Sequence, residues 1–311
     1  MDWTDRHCRY LHRLMTARAL LYTEMVTAPA VIHGDRDRLL GFNDVEHPVA
    51  LQLGGSDPAQ LAQAARVAQD FGYAEVNLNC GCPSDRVQSG SFGAVLMENA
   101  ALVAECCDAM RVAVDVPVTV KCRIGVDDQV AEDILPDFIA RVSAAGVDRF
   151  TIHARKAWLQ GLSPKENRDV PPLDYALVHE MKANFPHLHL SLNGGVSTLK
   201  EALAHLEKGM DGVMIGRAGY HQPWDILGAA DEQVFGADNP LSGPDEAAEM
   251  MLPYIEEHLG AGGKLGQISK HMLGLFAGKP GARIWRRVLS EGAHKPGAST
   301  PLVEAALTEL G

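Results

Sequence analysis

Short apolar runs alternate with longer segments of helical periodicity from residue 20 to about residue 217. The apolar runs are four to six residues long, which is typical of buried strands. The seven predicted strands are residues 20–25, 49–53, 76–79, 118–122, 149–153, 189–193 and 212–215. The helical periodicity predicts helices at residues 58–71, 92–114, 132–145, 175–185 and 198–208.

This strict alternation of strand and helix is typical of parallel βαβ units. It predicts an α/β protein of the (β/α)₈ TIM-barrel type, which needs eight strands to avoid unpaired sheet edges. The residues from Asp2 to Arg6 resemble the loop and helix that would follow a first strand. We therefore expect the first strand to be missing from this chain and to lie before Met1.

The pattern changes after residue 217. Residues 235–244 form a stretch rich in Gly, Pro and Asn, and the remainder has helical periodicity without a convincing strand. The sequence therefore predicts two domains, a barrel at residues 1–235 and a small all-helical domain at residues 236–311.

Polar residues end almost every predicted strand. A single residue of this kind is most simply explained as a satisfied end of a strand. In a barrel, however, the carboxyl ends of all strands meet at one mouth, where barrel enzymes place their chemistry. We expect these residues to converge there: Glu24, Gln52, Asn77, Asn79, Lys121, Arg123, His153, Arg155, Asn193 and Arg217.

The last two predicted strands end in Asn193-Gly194-Gly195 and Gly216-Arg217. Barrels commonly hold a phosphate at these two positions on loop amides and a helix N-terminus, and glycine lets the backbone approach the anion. Tight turns would explain either pair alone, whereas both together favour a phosphorylated cofactor.

Two further features bear on the chemistry. Cys82 lies in a loop held by Gly81 and Pro83, where a thiol above the barrel mouth is placed for proton transfer. Lys121 and His153 end adjacent strands, and a cation near an isoalloxazine ring stabilises the anionic reduced flavin. Taken alone, Cys82 is more simply explained by inert burial. A surface salt bridge is the less favoured interpretation of Lys121, because the preceding Val118-Thr119-Val120 is a buried-strand pattern.

Three of the other cysteines are predicted to pack in the core, namely Cys80, Cys106 and Cys107. Six cysteines without paired Cys-x-x-Cys motifs argue against a disulfide framework and against a metal site. The N-terminus is polar and no apolar run approaches the roughly 18 residues of a membrane span. We therefore expect a cytoplasmic protein without a membrane segment.

The charge is unevenly distributed. The 311 residues carry a formal net charge of −12, which argues against indiscriminate coating of nucleic acid. Residues 264–297, however, contain seven Lys and Arg against one Glu, a balance of +6. On charge alone this segment is most simply a solvated helix face.

At these residues the chain resembles the tRNA-dihydrouridine synthases, specifically their A subfamily. The resemblance covers nearly the whole chain, and its most specific part is the run from His153 to Tyr175. The other matching stretches are residues 2–9, 22–25, 50–55, 77–85, 120–125, 193–195, 271–276 and 285–287.

The resemblance implies an FMN-bearing barrel that reduces D-loop uridines at positions 20 and 20a of tRNA, with NADPH as reductant. Cys82 would donate the proton to uracil C5. The implied FMN-binding residues are Gln52, Lys121, His153, Asn193, Gly194, Gly195, Gly216 and Arg217. The implied tRNA contacts are Asn79 at the flipped uridine, and Lys165, Arg168, Arg283, Arg286 and Arg287 elsewhere.

Two departures from the family pattern are visible. Family members begin with a strand ending in Ala-Pro-Met, which this chain lacks, so we expect an in-frame Ala-Pro-Met upstream of Met1. Cys80 stands where relatives carry an apolar residue. Two other functions remain open, an FMN barrel acting on a free pyrimidine and a non-catalytic tRNA-binding or chaperone-like protein. We expect a monomer.

Overall fold

The strands form one parallel sheet in sequence order. The computed structural model describes residues 3–84 and 91–310. Each of the seven predicted strands is confirmed to within two residues at either end. They are β1 Leu21–Thr27, β2 Val49–Gly54, β3 Glu75–Cys80, β4 Val118–Arg123, β5 Arg149–His153, β6 His189–Asn193 and β7 Gly212–Met214.

Parallel pairing brings the carboxyl ends of the strands to one edge of the sheet. In the register, Asn79 pairs with Lys121, Arg123 with His153, and His153 with Asn193. Helices cross over between consecutive strands, as the right-handed βαβ rule requires. The predicted α/β barrel class with a helical C-terminal region is confirmed, while a strand before Met1 stays a prediction.

Side-chain caps begin several helices of the barrel. Asp57 accepts a hydrogen bond from the Gln60 N–H and is followed by Pro58, and Thr198 accepts one from the Glu201 N–H. The helices up to residue 207 are α1 Arg6–Met15, α2 Ala28–His33, α3 Arg36–Leu40, α4 Pro58–Asp70, α5 Ala100–Ala113, α6 Ala131–Ala144, α7 Tyr175–Asn184 and α8 Leu199–Glu207.

The prediction of one helix at residues 92–114 is wrong. A 3₁₀ helix, Gly93–Glu98, ends at Asn99, whose φ of −138° and ψ of 71° are not helical. The Asn99 side chain accepts from the Leu102 N–H and so starts α5 afresh. Asparagine competes for backbone hydrogen bonds in this way, and apolar periodicity alone does not reveal it.

A second apolar core lies in the helical region. Its helices are α9 Arg217–His221, α10 Pro223–Leu227, α11 Ala230–Phe235, α12 Pro244–Gly260, α13 Leu265–Met272, α14 Ala282–Gly292 and α15 Thr300–Thr308. Leu11 and Met15 of α1 are fully buried in this same core, together with Trp285 of α14. The helical core thus draws on both ends of the chain, and the domain boundary at residues 235 and 236 stays a prediction.

Polar contacts bind α1 to the barrel as well. Arg9 Nε lies 2.7 Å from Glu46 Oε2 in a buried ion pair. Arg13 donates to the carbonyl groups of Thr16, Ala19 and Pro48. Because α1 packs in the helical core and also binds the barrel through these polar contacts, it sets the position of the helical region against the barrel. No helix within residues 3–84 and 91–310 has the length and apolar character needed to cross a bilayer.

Candidate active site

The loop after β3 is held by the residue that precedes it on the strand. Asn79 Oδ1 accepts the N–H groups of Gly81 at 3.0 Å and Cys82 at 2.9 Å. The Cys82 carbonyl accepts from the Ala94 N–H at 2.9 Å. These three bonds fix the backbone of Cys82, so the direction of its thiol is set by the end of β3.

Cys82 differs from the other five cysteines in being partly exposed. Its Sγ lies 3.6 Å from Ser84 Oγ. Cys80 and the adjacent pair Cys106 and Cys107 are fully buried in the main apolar core, which confirms the prediction that they pack there. Cys82 is therefore the one thiol that a ligand in the barrel mouth can reach.

Arg123 joins the Cys82 loop to the long loop after β5. Its side chain is buried, its Nε donates to the Gly81 carbonyl at 2.8 Å, and its Nη1 donates to the carbonyls of Lys156 and Asn167. Asn167 is itself fully buried and closes that loop through the Trp158 carbonyl. In the sequence, Arg123 is recognisable only as a polar residue at the end of a predicted strand. That position predicts a place at the mouth but no particular task.

Lys121 supplies a cation near the carboxyl end of β4, at the same edge of the sheet. Its pKa is lowered to about 8, mainly by burial and also by the positive charge of Arg123, while Cys122 and Cys82 act in the opposite direction. Within the described part of the chain, no acceptor lies within hydrogen-bond distance of its ammonium group. A half-buried cation without a hydrogen-bond partner favours an anionic ligand beside it.

His153 is a neutral imidazole in this setting. Its side chain is buried, and burial together with surrounding positive charge holds its pKa well below the usual range. The cations concerned are Lys121, Arg123, Arg155 and Arg217. A neutral imidazole keeps one donor and one acceptor nitrogen, so His153 can hydrogen-bond a ligand without adding charge.

The turn after β6 accepts only glycine. Gly194 has a φ of +106°, and a Cβ there would lie 2.4 Å from the ring of His153. Gly195 has a φ of +73°, and its Cβ would lie 2.5 Å from Leu173. Tyr175 donates its hydroxyl to the Gly194 carbonyl at 2.7 Å, and Asn193 Nδ2 donates to the Met214 carbonyl at 2.8 Å. The backbone therefore forms a shallow cradle next to His153.

Gly216 and Arg217 follow β7 at the neighbouring position. A Cβ at Gly216 would meet nothing within 4 Å, so open space lies over this residue. Arg217 Nη1 lies 2.6 Å from Asp169 Oδ1, and both side chains are about half exposed. An anion at this position would share the guanidinium with Asp169.

The guanidinium groups of Arg155 and Arg168 complete the positive rim. Arg155 Nη1 donates to the carbonyls of Pro171 and Asp169. The Nε atoms of Arg155 and Arg168 are both buried and have no partner among the residues that the structure describes. Lys165 lies exposed on the same loop. Unsatisfied buried donors are rare, and here they point to an anionic ligand.

The three arginines of α14 lie apart from this mouth, on the helical region. Trp285 is fully buried and donates its Nε1–H to the Met272 carbonyl at 2.8 Å, which turns Arg283, Arg286 and Arg287 outward. An open groove of about 530 Å³ lies beside them, lined by Gly278, Lys279, Gly281, Ala282, Arg283, Ile284 and Arg286. This lining has three cations and no acid.

The mouth as a whole can bind an anionic, planar ligand and protonate it. It combines one accessible thiol, a partnerless cation, a neutral imidazole and a glycine cradle. The side chains of His, Cys, Asp and Glu in residues 3–84 and 91–310 form no cluster of three that could hold a metal ion.

Comparison with known proteins adds an independent observation. Residues 1–310 match the family model described as dihydrouridine synthase (Dus). A protein of Vibrio cholerae serotype O1 is 57% identical over 311 residues, which cover all of this chain and 94% of the relative. A protein of Salmonella typhi is 59% identical over 308 residues, covering 99% of this chain and 92% of the relative. A protein of Escherichia coli K12 is 59% identical over 308 residues, which cover 99% of this chain and 88% of the relative. All three carry the name tRNA-dihydrouridine(20/20a) synthase.

Proposed function

Because this chain belongs to the dihydrouridine synthase family, we propose that it reduces uridine to 5,6-dihydrouridine in the D-loop of tRNA, at positions 20 and 20a. The observation that carries this proposal is full-length identity of 57–59% to relatives named for that activity. An enzyme for a free pyrimidine, or a non-catalytic tRNA-binding protein, finds no support in those names. The enzyme is a flavin-dependent oxidoreductase.

FMN is the proposed flavin, and the residues at the mouth fit it. Gly194 and Gly195 form a turn too tight for any Cβ, and open space lies over Gly216 at the neighbouring strand end. Such glycine backbone suits a phosphate held on backbone groups. When bound, FMN supplies the hydride for uracil C6, and NADPH is the proposed reductant. The residues that would hold FMN are Gln52, Lys121, His153, Asn193, Gly194, Gly195, Gly216 and Arg217.

Their proposed tasks follow from their chemistry. The Lys121 ammonium would compensate negative charge on the ring system. The neutral His153 imidazole and the Gln52 amide donate hydrogen bonds to ring oxygens or nitrogens. Arg217, which begins α9 beside Gly216, adds a charge-assisted bond to phosphate.

Cys82 is the proposed proton donor to uracil C5. Hydride at C6 leaves two electrons on the pyrimidine, and the thiol proton completes the saturation of the double bond. The positive charges of Lys121 and Arg123 lie close enough to Cys82 to interact with it electrostatically, and they would compensate the negative charge that remains when the proton has left. A positioned acid of this kind is worth about 10²–10⁴-fold in rate.

The helical region is the proposed grip on tRNA. Arg283, Arg286 and Arg287 are exposed beside a cationic groove, and RNA phosphates are bound mainly by such residues. Lys165 and Arg168 lie on the mouth loop, where they would meet the RNA close to the reacting base, and Asn79 would contact the flipped uridine. We propose residues 1–235 as the catalytic domain and residues 236–311 as the tRNA-binding domain of a cytoplasmic monomer.

Substitution of Cys82 tests the proposal. Cys82→Ala should bind yellow flavin and unmodified tRNA like the wild type, yet form dihydrouridine at least 100-fold more slowly, because only the acid is lost. Dihydrouridine is quantified by mass spectrometry of digested tRNA. The matched control is Cys80→Ala, a buried thiol two residues away, which should keep most of the activity. Normal turnover by Cys82→Ala would refute its role, and a wild type that forms no dihydrouridine would overturn the function itself.

A further inference from the structure

A row of polar side chains crosses the interior of the barrel beneath the Cys82 loop. Glu75, Asn77 and Asn79 alternate along β3 and so point to the same face of the sheet. Glu75 and Asn77 are at most 1% exposed, as is Thr119 on β4. Glu75 and Asn79 lie four positions apart on the strand, which is a distance of about 13 Å. No task proposed above uses Glu75, Asn77 or Thr119.

Each member of this row donates one hydrogen bond to the next in the same direction. Asn79 Nδ2 donates to Gln52 Oε1 at 2.8 Å, and Gln52 Nε2 donates to Asn77 Oδ1 at 2.9 Å. Asn77 Nδ2 donates to Thr119 Oγ1 at 2.8 Å. Thr119 Oγ1 donates to Glu75 Oε1 at 2.7 Å. These five residues are called the barrel relay below.

The two ends of the barrel relay determine its direction. At the upper end the N–H groups of Gly81 and Cys82 can only donate, so they require Asn79 Oδ1. At the lower end the Glu75 carboxylate can only accept, and Arg149 Nη1 pairs with its charge at 2.9 Å. The orientations of the amides between these ends follow, because any single reversed amide would set donor against donor.

We propose that Glu75 is a positioning residue for the reaction, acting through the barrel relay on the Gln52 amide and on the backbone of Cys82. This inference rests on the proposed function, which gives Cys82 and Gln52 their tasks. If the relay loses its acceptor at Thr119, Asn77 Nδ2 is left unsatisfied in a dry site, which is unfavourable. Reversal of Asn77 then forces reversal of Gln52 and Asn79, and the Cys82 N–H loses its partner.

Two hydroxyl groups of the barrel interior provide a matched comparison. Thr119 Oγ1 and the Tyr22 hydroxyl both donate to Glu75 Oε1 at 2.7 Å, but Tyr22 lies outside the relay. Thr119→Val and Tyr22→Phe each remove one of these donors and leave the Glu75–Arg149 ion pair in place. A merely structural role of Glu75 predicts similar consequences for both variants.

The expected results separate positioning from stability. Thr119→Val should lower kcat for dihydrouridine formation at least tenfold, with the KM for tRNA within twofold of wild type. It should also change the rate of Cys82 alkylation by iodoacetamide at least threefold, measured by peptide mass spectrometry on the flavin-free protein. Tyr22→Phe should stay within twofold of wild type in all three quantities, and Thr119→Ser, which keeps the hydroxyl, should recover most of the lost kcat.

The outcomes also distinguish this inference from the proposed function. A wild type without turnover defeats the proposed function, whereas the alkylation rates test the relay without flavin or tRNA. Equal behaviour of Thr119→Val and Tyr22→Phe, or a Thr119→Val protein with unchanged kcat and alkylation, would overturn the positioning role. If Thr119→Val does not fold, Thr119→Ala takes its place, and failure of both to fold would assign the relay to stability alone.

Discussion

Single residues at the mouth obtain their properties from their neighbours. Lys121 and His153 would be ordinary cation and imidazole in water. Burial and the surrounding arginines make the first easier to deprotonate and keep the second neutral. The same positive charges lie close to Cys82. In the proposed reaction this one cluster of cations would serve both flavin binding and proton transfer.

The charge state of Lys121 predicts a pH dependence. Its pKa near 8 means that the ammonium is present below that pH and is lost as the pH rises through it. FMN affinity of the flavin-free protein should therefore fall about tenfold between pH 7 and pH 9.5, since one charge-assisted hydrogen bond disappears. Lys121→Arg keeps its charge over this range, so its affinity should be flat when followed by flavin fluorescence.

A control removes the neighbouring thiol from this comparison. Cys82→Ala should show the same decline as the wild type if Lys121 is responsible. A wild-type affinity that does not change with pH, or a decline of equal size in Lys121→Arg, would contradict the assignment.

Loops and helices present these residues at fixed places. The Cys82 loop is tied to β3 by Asn79 and to the loop after β5 by Arg123. On the helical region, α14 buries Trp285 and thereby exposes its arginines. In each of these elements, a buried side chain that is not itself the functional group fixes the position of the functional side chains. Substitutions can therefore change the two kinds of residue separately.

Helix α14 carries a prediction about RNA. Arg286→Gln should weaken tRNA binding and lower the slope of log Kd against log salt by about one, because one phosphate contact and its released counterion are lost. Binding is measured by fluorescence polarisation from 50 to 300 mM salt, about the range in which such contacts dominate. The control is Arg66→Gln, an exposed arginine on α4, which should change neither quantity. A slope unchanged by Arg286→Gln would count against the proposed contact.

At the scale of the whole molecule, two apolar cores are joined by α1. This helix lies near the start of the sequence, yet it contributes Leu11 and Met15 to the helical core. Asp5 caps α1 through the N–H groups of His7 and Cys8 and also pairs with His271 of α13 at 2.9 Å. The position of the helical region relative to the barrel therefore depends on contacts made by the first turn of α1.

The contact between Asp5, which caps α1, and His271 of α13 predicts how the stability of the fold changes with acid. Burial alone would raise its pKa, but the hydrogen bond and charge of His271 hold it below the usual range. A depressed carboxyl pKa stabilises the fold above the unfolded value of 3.8 and loses that contribution as the pH falls further. Asp5→Asn should therefore lower the free energy of unfolding by about 1–2 kcal/mol at pH 7, and the difference from wild type should shrink below pH 3.8.

Urea unfolding followed by circular dichroism measures this difference. The matched control is Asp57→Asn, since Asp57 caps α4 but has no ion pair in the described ranges. Its loss should be only a few tenths of a kcal/mol, with little dependence on acid. Equal losses in the two variants would show that capping, and not the His271 pair, accounts for the effect of Asp5.

The amino-acid sequence by itself determined the order of strands and helices and the residues that end each strand. Periodicity and capping are local properties, so all seven strands were predicted to within two residues, and the polar residues at their ends were identified. The motif around Cys82 and the run from His153 to Tyr175 pointed to the family without any coordinates. The break at Asn99 escaped, because a side-chain cap interrupts a helix without disturbing its apolar pattern.

Only the tertiary structure decided which of these residues act on one another. Arg123 reaches the Cys82 loop, Arg217 pairs with Asp169, and α1 joins a core built by residues more than 230 positions away. The barrel relay likewise depends on strand register, which puts Thr119 opposite Asn77. Such contacts join distant parts of the chain, and their distances follow from how the sheet pairs and how the helices pack, which no local pattern of residues contains.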